Sequence, residues 1–185
     1  MTEKQPYAVR STHEGFEVRL YPAHVLAQID VVGEPGAGAS AAFGPLFQYI
    51  SGANAASARI AMTAPVVLEP RSARKQTVSF VMPATMTAES APAPRDARVR
   101  TSVVEPRLVA ASRFRGRAST STFQEQGRRL LDAVDAEGFS VTGDVFYARF
   151  DPPSMPGFLR HNEALVALAA DDEGNPRRTA PDAAQ

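Results

Sequence analysis

Side chains that bind metals are few in this sequence and lie far apart. The chain has no cysteine and three histidines, His13, His24 and His161, which excludes disulfides, thiolate nucleophiles and cysteine-held zinc or iron–sulfur sites. Histidines and methionines remain as soft ligands. The histidines do not form a chelating motif such as His-Glu-x-x-His, so no metal site built from neighbouring residues is predicted.

Sequence motifs of common enzyme classes do not occur either. The chain lacks a Gly-x-Ser-x-Gly elbow, a phosphate-binding Gly-x-x-x-x-Gly-Lys-Ser/Thr loop and a Gly-x-Gly-x-x-Gly turn. Glu14, Glu17 and Asp30 would act as acid and base only if the fold joined them in a cleft. We therefore name no catalytic residue, and the sequence favours a binding protein over an enzyme.

Composition and charge narrow the class of partner. Of the 185 residues, 44% are hydrophobic, and 20 Lys and Arg balance 20 Asp and Glu. This suits one globular domain and gives no strong field toward nucleic acid or an anionic membrane. The arginines of residues 98–117 alternate with apolar residues, which predicts a solvated hairpin face. No signal segment or membrane span is visible, so we expect a cytoplasmic protein, a monomer or weak oligomer, without nucleic-acid or membrane partners.

Hydrophobic patterning predicts the order of elements in the first half. Residues 16–32 form a strand pair broken at Tyr21-Pro22, which indicates a hairpin. A helix follows, in which Pro45 favours a start near Gly44 or a bend, and its apolar residues are Ala42, Phe43, Leu46, Phe47 and Ile50. Two strands, residues 59–68 and 77–82, complete this half.

The same order of elements returns in the second half. Residues 99–105 and 107–114 predict another hairpin, 119–137 a helix, and 141–149 and 163–169 two strands. We predict an α+β fold, a distorted barrel made of two pseudo-symmetric βαββ-type repeats with two helices packed outside. Residues 1–10 are expected to be flexible, 11–170 to form one domain with repeats at about 14–83 and 97–169, and 171–185 to be disordered.

Three short segments in the right order carry a family resemblance. They are Met62-Thr63-Ala64-Pro65-Val66, Phe80-Val81-Met82-Pro83, and Asp151-Pro152-Pro153 followed by Arg160-His161-Asn162-Glu163. Together they resemble the SOUL/haem-binding protein family, over residues 7–169. The resemblance implies two βαββ halves and a tetrapyrrole ligand.

The resemblance also implies where the ligand lies. In mammalian haem-binding relatives the apolar slot is beside the first helix, which here offers Phe43, Leu46, Phe47 and Ile50. Met62 would add a polarisable sulfur, Met155 and Phe158 a possible lip, and Arg59 and Arg160 partners for the propionates. Leu20 stands where one branch carries a histidine, so His24 is the substitute axial ligand to test.

The resulting hypothesis is reversible binding of haem or a related tetrapyrrole in an apolar groove, in a carrier or buffer role. The alternative is a small-molecule effector-binding module of the gyrase-inhibitor-like type, which shares the architecture and binds ligands between its halves. A third hypothesis is that the protein is a tetrapyrrole-modifying enzyme.

Overall fold

The computed structural model describes residues 2–32, 38–72, 74–117, 119–152 and 154–170. The strands and helices within these ranges are β1 (Glu3–Lys4), β2 (Ala8–His13), β3 (Phe16–Tyr21), β4 (His24–Val32), α1 (Gly38–Ile50), β5 (Thr63–Ala64), β6 (Val66–Ser72), β7 (Lys75–Val81), β8 (Arg100–Val104), β9 (Arg107–Arg115), α2 (Thr120–Ala136), β10 (Phe146–Arg149), the short 3₁₀ helix η1 (Gly157–Leu159) and β11 (His161–Ala167). The tail assigned to residues 171–185 lies outside the described residues.

Nine of these strands form one curled antiparallel sheet in the order β2-β3-β9-β11-β10-β6-β7-β4-β8. The units β3-β4-α1-β6-β7 and β8-β9-α2-β10-β11 repeat the same succession of elements. The predicted α+β fold with two similar halves and two outer helices is confirmed. None of the helices in the described part of the chain is long and apolar enough to cross a bilayer.

The two predicted hairpins are wrong, because the strands pair across the halves. β3 lies between β2 and β9, and β4 lies between β7 and β8. Pro22 and Pro106 stand at the two bends, where each removes a backbone donor and fixes φ. Alternating side chains specify which face a strand buries, but they do not specify its partner.

The N-terminal residues are part of the fold. Residues 1–10 were expected to be flexible, whereas β1 pairs in parallel with β5 and β2 forms an antiparallel hairpin with β3. Gly15 sits in the turn of that hairpin with φ +87°, a conformation that glycine adopts without steric strain. The hairpin adds the edge strand β2 to the sheet.

The helices cover one face of the sheet. α1 packs on β4 and β7, and α2 on β3, β9 and β11. α1 begins at Gly38 rather than near Gly44, so Pro45 lies inside it. In α2, the Ser119 side chain caps the first turn by accepting a hydrogen bond from the Thr122 amide at 3.2 Å, the usual role of serine at a helix start.

Both faces of the central strands are buried. Successive side chains of a strand point to opposite faces, so Val25 and Ala27 join the layer under the helices while Leu26 lies on the other side. We call that side the helix-free face. The sheet curls around the apolar residues of the helix-free face. They are Tyr21, Leu26, Val67, Val81, Val109, Ala111, Phe146, Ala148 and Leu165.

Candidate ligand-binding site

Two aromatic rings of α1 are partly open to solvent. Phe43 and Phe47 are 37% and 46% exposed, and their rings stack with centroids 5.7 Å apart. Phe43 also meets the buried Phe80 ring edge-on, at 5.4 Å. Leu46 and Ile50 are buried in the core, so of the four predicted helix residues two can touch a ligand and two hold the helix in place.

The segment after α1 is fixed by one buried amide. Asn54 donates hydrogen bonds to the carbonyls of Tyr49 (2.9 Å) and Ala58 (2.8 Å), and its side-chain oxygen accepts from the Ala58 amide (3.1 Å). The Ile60 amide then bonds the Ile50 carbonyl at 2.8 Å. Two predicted site residues on this segment, Arg59 and Met62, are exposed. We call Phe43, Phe47, Arg59 and Met62 together the α1 surface.

The remaining predicted pocket residues lie in the other half of the fold. Phe158 is 73% exposed and Met155 is half-buried, with its carbonyl accepting from Arg160 Nε at 2.8 Å. The Arg160 carbonyl accepts from the Gly116 amide at 3.2 Å, which places this loop beside the chain that enters α2. The hydrogen bonds of the predicted lip are therefore with the second half of the fold.

A cleft opens on the helix-free face, where the two halves meet. Most of its space is open to solvent, and the volume it encloses is about 20 Å³, so it is a shallow cleft rather than a closed pocket. The first half and the N-terminal segment supply part of the lining and the second half the rest. The lining residues are Gln5, Tyr21, His24, Leu26, Pro65, Val67, Arg107, Val109, Phe146, Ala148 and Leu165.

Arg107 is the charged residue in the lining of this cleft. Its guanidinium carbon lies 4.8 Å from the centre of the Phe146 ring, and its buried Nε has no hydrogen-bond partner among the described residues. Burial lowers the pKa of Arg107, and the nearby Glu69 and Tyr21 only partly offset that effect. The fold therefore holds a partly desolvated positive charge at the wall of an apolar cleft.

His24 lies in the same cleft as a neutral group. Its Nδ1 lies 2.8 Å from the Pro22 carbonyl oxygen, and since a carbonyl only accepts, Nδ1 carries the proton. Burial lowers the pKa of His24, and the Arg107 charge lowers it further, against the effect of the Pro22 hydrogen bond. Nε2 is then the ring nitrogen with the free lone pair.

The position of His24 conflicts with its predicted role beside α1. His24 shares the helix-free face with Leu26, whereas α1 packs on the opposite face. His13 stacks on Phe16 and bonds Glu137, and His161 bonds Glu163. None of the three histidines therefore reaches the α1 surface. The described residues also contain no cluster of three or more His, Asp or Glu side chains suited to a metal ion.

A buried ion pair lies on the same face of the sheet and shows how the fold treats another arginine. Arg19 and Glu163 are each 1% exposed, and Arg19 donates to the two Glu163 oxygens at 2.7 and 3.2 Å. The Tyr7 ring covers the guanidinium at 4.2 Å. Burial would raise the pKa of Glu163, but the hydrogen bonds from His161 and Arg19 and the Arg19 charge lower it to about 2.

The sequence analysis did not identify this pair, because Glu17 and Arg19 alternate with apolar residues as on a solvated strand. Arg19 is covered because β2 pairs beside β3 and the Tyr7 ring lies over the guanidinium. Arg19 therefore has a buried carboxylate partner, whereas Arg107 has none within the part of the chain that the structure describes.

Several solved structures have a similar fold. The C-terminal domain of EcmrR matches with TM-score 0.63 and 10% identity, covering 83% of this chain and 98% of that chain. EcmrR in a DNA complex also matches with TM-score 0.63 and 10% identity, over 84% of this chain and 58% of that chain. A hydrolase from Listeria innocua has TM-score 0.57 and 12% identity, over 86% and 94%.

These identities establish a common fold and nothing finer. No curated protein matches the sequence. The model of the SOUL heme-binding protein family matches residues 2–167, a span that runs from the N-terminal residues to the end of β11 and includes both the α1 surface and the cleft. The chain therefore belongs to the SOUL heme-binding protein family.

Proposed function

We propose that this protein binds haem or a related tetrapyrrole reversibly on the α1 surface, as a carrier or buffer. The observation that carries the proposal is the stacked pair Phe43 and Phe47, which stays partly exposed although both rings are large and apolar. A flat macrocycle covers such a pair by stacking and by burial of apolar area. Arg59 on the adjoining segment is the basic group available to a propionate.

Binding on this surface would rest on the macrocycle rather than on its metal. The three histidines lie elsewhere, so the residues of the α1 surface supply no imidazole to an iron atom. Met62 is the soft side chain on this surface, 38% exposed. Metal-free protoporphyrin IX should accordingly bind within a few-fold of hemin.

The proposal is tested by titrating purified protein with hemin, followed in the Soret region, and with protoporphyrin IX, followed by fluorescence. Phe47→Ala should raise both dissociation constants about threefold to tenfold, the loss expected for one aromatic contact. Phe158→Ala is the matched control, because it removes an exposed phenylalanine from the other half. His24→Ala should bind hemin like the unaltered protein.

The outcomes separate the possible sites. Weakening by Phe158→Ala and not by Phe47→Ala would move the ligand to the loop of residues 154–160. Loss of hemin binding with His24→Ala, while protoporphyrin IX binding persists, would place iron in the cleft. Absence of saturable binding by either compound would end the tetrapyrrole proposal.

A second function, small-molecule effector binding, is favoured by the cleft between the halves. The fold is that of the EcmrR C-terminal domain, and EcmrR is a protein seen in a complex with DNA. The cleft lies on the face opposite α1, so a ligand there need not compete with a tetrapyrrole on the α1 surface. Simultaneous binding of both kinds of ligand is the result expected if both functions are present.

A further inference from the structure

We propose that the cleft on the helix-free face binds a small carboxylic acid with an apolar body, and that Arg107 anchors the carboxylate. This inference rests on the second function above, since it names the class of effector, and it is independent of tetrapyrrole binding at α1. It combines two features of the cleft, an unmatched positive charge and an apolar wall.

Among the described residues, no carboxylate forms an ion pair with Arg107. Glu69 is the nearby carboxylate, and it already forms an ion pair with Arg71. Tyr21 lines the cleft too, but burial raises its pKa to about 12, so it stays uncharged at neutral pH. His24 supplies no negative charge in either protonation state.

Burial makes this unmatched charge informative. A guanidinium presents five N–H donors in a planar fork that suits a carboxylate, and a buried donor without a partner is costly. The Nε of Arg107 is such a donor within the described structure. Phe146 holds the guanidinium in place by lying under it at 4.8 Å, and Arg107 is one of the residues that line the cleft.

The other lining residues determine that the rest of the ligand should be apolar. Leu26, Val67, Val109 and Leu165 are aliphatic, and Phe146 adds an aromatic ring. The enclosed volume is only about 20 Å³ and the rest of the space is open to solvent, so a single ring would lie across the open mouth of the cleft rather than inside it. An acid of this kind would touch both halves at once, since Leu26 and Val67 belong to the first and Arg107 and Val109 to the second.

The other charge types are disfavoured by the same residues. A cation would face the partly buried guanidinium of Arg107 at close range, where like charges repel more strongly than in bulk water. A neutral amide of the same shape would keep the apolar contacts and lose the charged hydrogen bonds, which are stronger than neutral ones. The cleft should therefore rank acid above amide above amine.

The experiment uses three probes of one shape, which are benzoate, benzamide and benzylammonium. Each is titrated into the full chain at pH 7, and chemical-shift changes in amide correlation spectra give both the affinity and the location. Benzoate should shift residues around the cleft and bind about tenfold to a hundredfold more tightly than benzamide. Benzylammonium should bind most weakly.

Two variants assign the preference to one guanidinium. Arg107→Met keeps a long apolar side chain and should bring the ratio of benzoate to benzamide affinity close to one. Arg100→Met is the matched control, because Arg100 is an exposed arginine paired with Asp30 on neighbouring strands, and it should leave the ratio unchanged. Thermal unfolding followed by circular dichroism is the check that both variants are folded.

The results distinguish this inference from the function on which it rests. Equal binding of all three probes in the cleft would overturn the preference for acids, while the proposal that the cleft binds a small-molecule effector would stand. No shifts around the cleft with any probe would overturn both. Preference for benzoate that survives Arg107→Met, or that disappears equally in Arg100→Met, would overturn the role of Arg107.

Discussion

The buried pair of Arg19 and Glu163 makes stability depend on pH in a predictable way. Glu163 is 1% exposed and is held by Arg19 and His161, whereas Glu17 contacts the same guanidinium from a position that is 36% exposed. Glu163→Gln removes the buried charge and keeps the shape of the side chain. Glu17→Gln makes the same chemical change at the exposed position.

The size of the effect follows from proton linkage. The pKa of Glu163 falls from 4.5, its ordinary value, to about 2 in the folded protein. The ionised form therefore stabilises the fold at pH values above 4.5, and this contribution is lost as the pH falls toward 2. At 1.36 kcal/mol per unit the contribution is about 3 kcal/mol at pH 7 and about 1 kcal/mol at pH 3. Removing one partner of a buried pair usually costs a similar amount.

The assay is urea unfolding of the two variants and the unaltered protein, at pH 7 and at pH 3. Glu163→Gln should lose about 3 kcal/mol at pH 7 and clearly less at pH 3, while Glu17→Gln should lose under about 1 kcal/mol at both. A loss that is the same at both pH values would refute the linkage argument. Equal losses in the two variants would show that burial does not decide the strength of this pair.

Three further substitutions, the first with a matched control, test the packing of α2 and the supports of the two sites. Gly127→Ala should lower the free energy of unfolding by about 1–3 kcal/mol, because the added Cβ would lie 2.7 Å from the Tyr147 hydroxyl. Gly143→Ala is the control: its Cβ meets nothing within 4 Å, so it should be neutral in urea unfolding. A higher free energy of unfolding for Gly127→Ala would show that the Tyr147 ring moves aside. Asn54→Ala should cost about 2–3 kcal/mol, since it removes three hydrogen bonds of a buried side chain, and should weaken hemin binding because Arg59 and Met62 lose their support; unchanged stability in the same unfolding assay would contradict this. Arg107→Met should raise the thermal midpoint, by on the order of 1 kcal/mol in stability, because it removes a buried charge without a partner; a lower midpoint would mean that the contact with Phe146 outweighs the cost of burial.

Local features of the fold were predictable because they depend on neighbours in sequence. The helix expected over residues 119–137 and the repeated order of elements followed from side-chain type and spacing. The pairing of β3 with β9 joins Tyr21 to Arg107, positions far apart in the chain, and no local pattern specifies it. Pro45 also misled the prediction of α1, since packing on β4 and β7 retains the helix around it.

The candidate sites were predictable to a lesser extent. Phe43 and Phe47 share a face because four residues make about one helical turn, and their rings do stack. His24 was paired with the wrong face, since one step along a strand reverses the direction of a side chain. Arg107 looked solvated, yet the apolar run that follows it, from Leu108 to Ala111, is typical of a strand buried on both faces, and that signal could have identified it.

The exchange of strands between the halves has a consequence for the origin and assembly of this fold. Neither half can cover its own strand edges, because β3 and β4 find partners in β9 and β8 of the other half. A single repeat produced alone would expose unpaired strand edges that can pair with a second copy. An ancestor with only one repeat is therefore expected to have been a symmetric dimer. Two polypeptides separated between β7 and β8 should accordingly recombine into the native sheet when they are mixed.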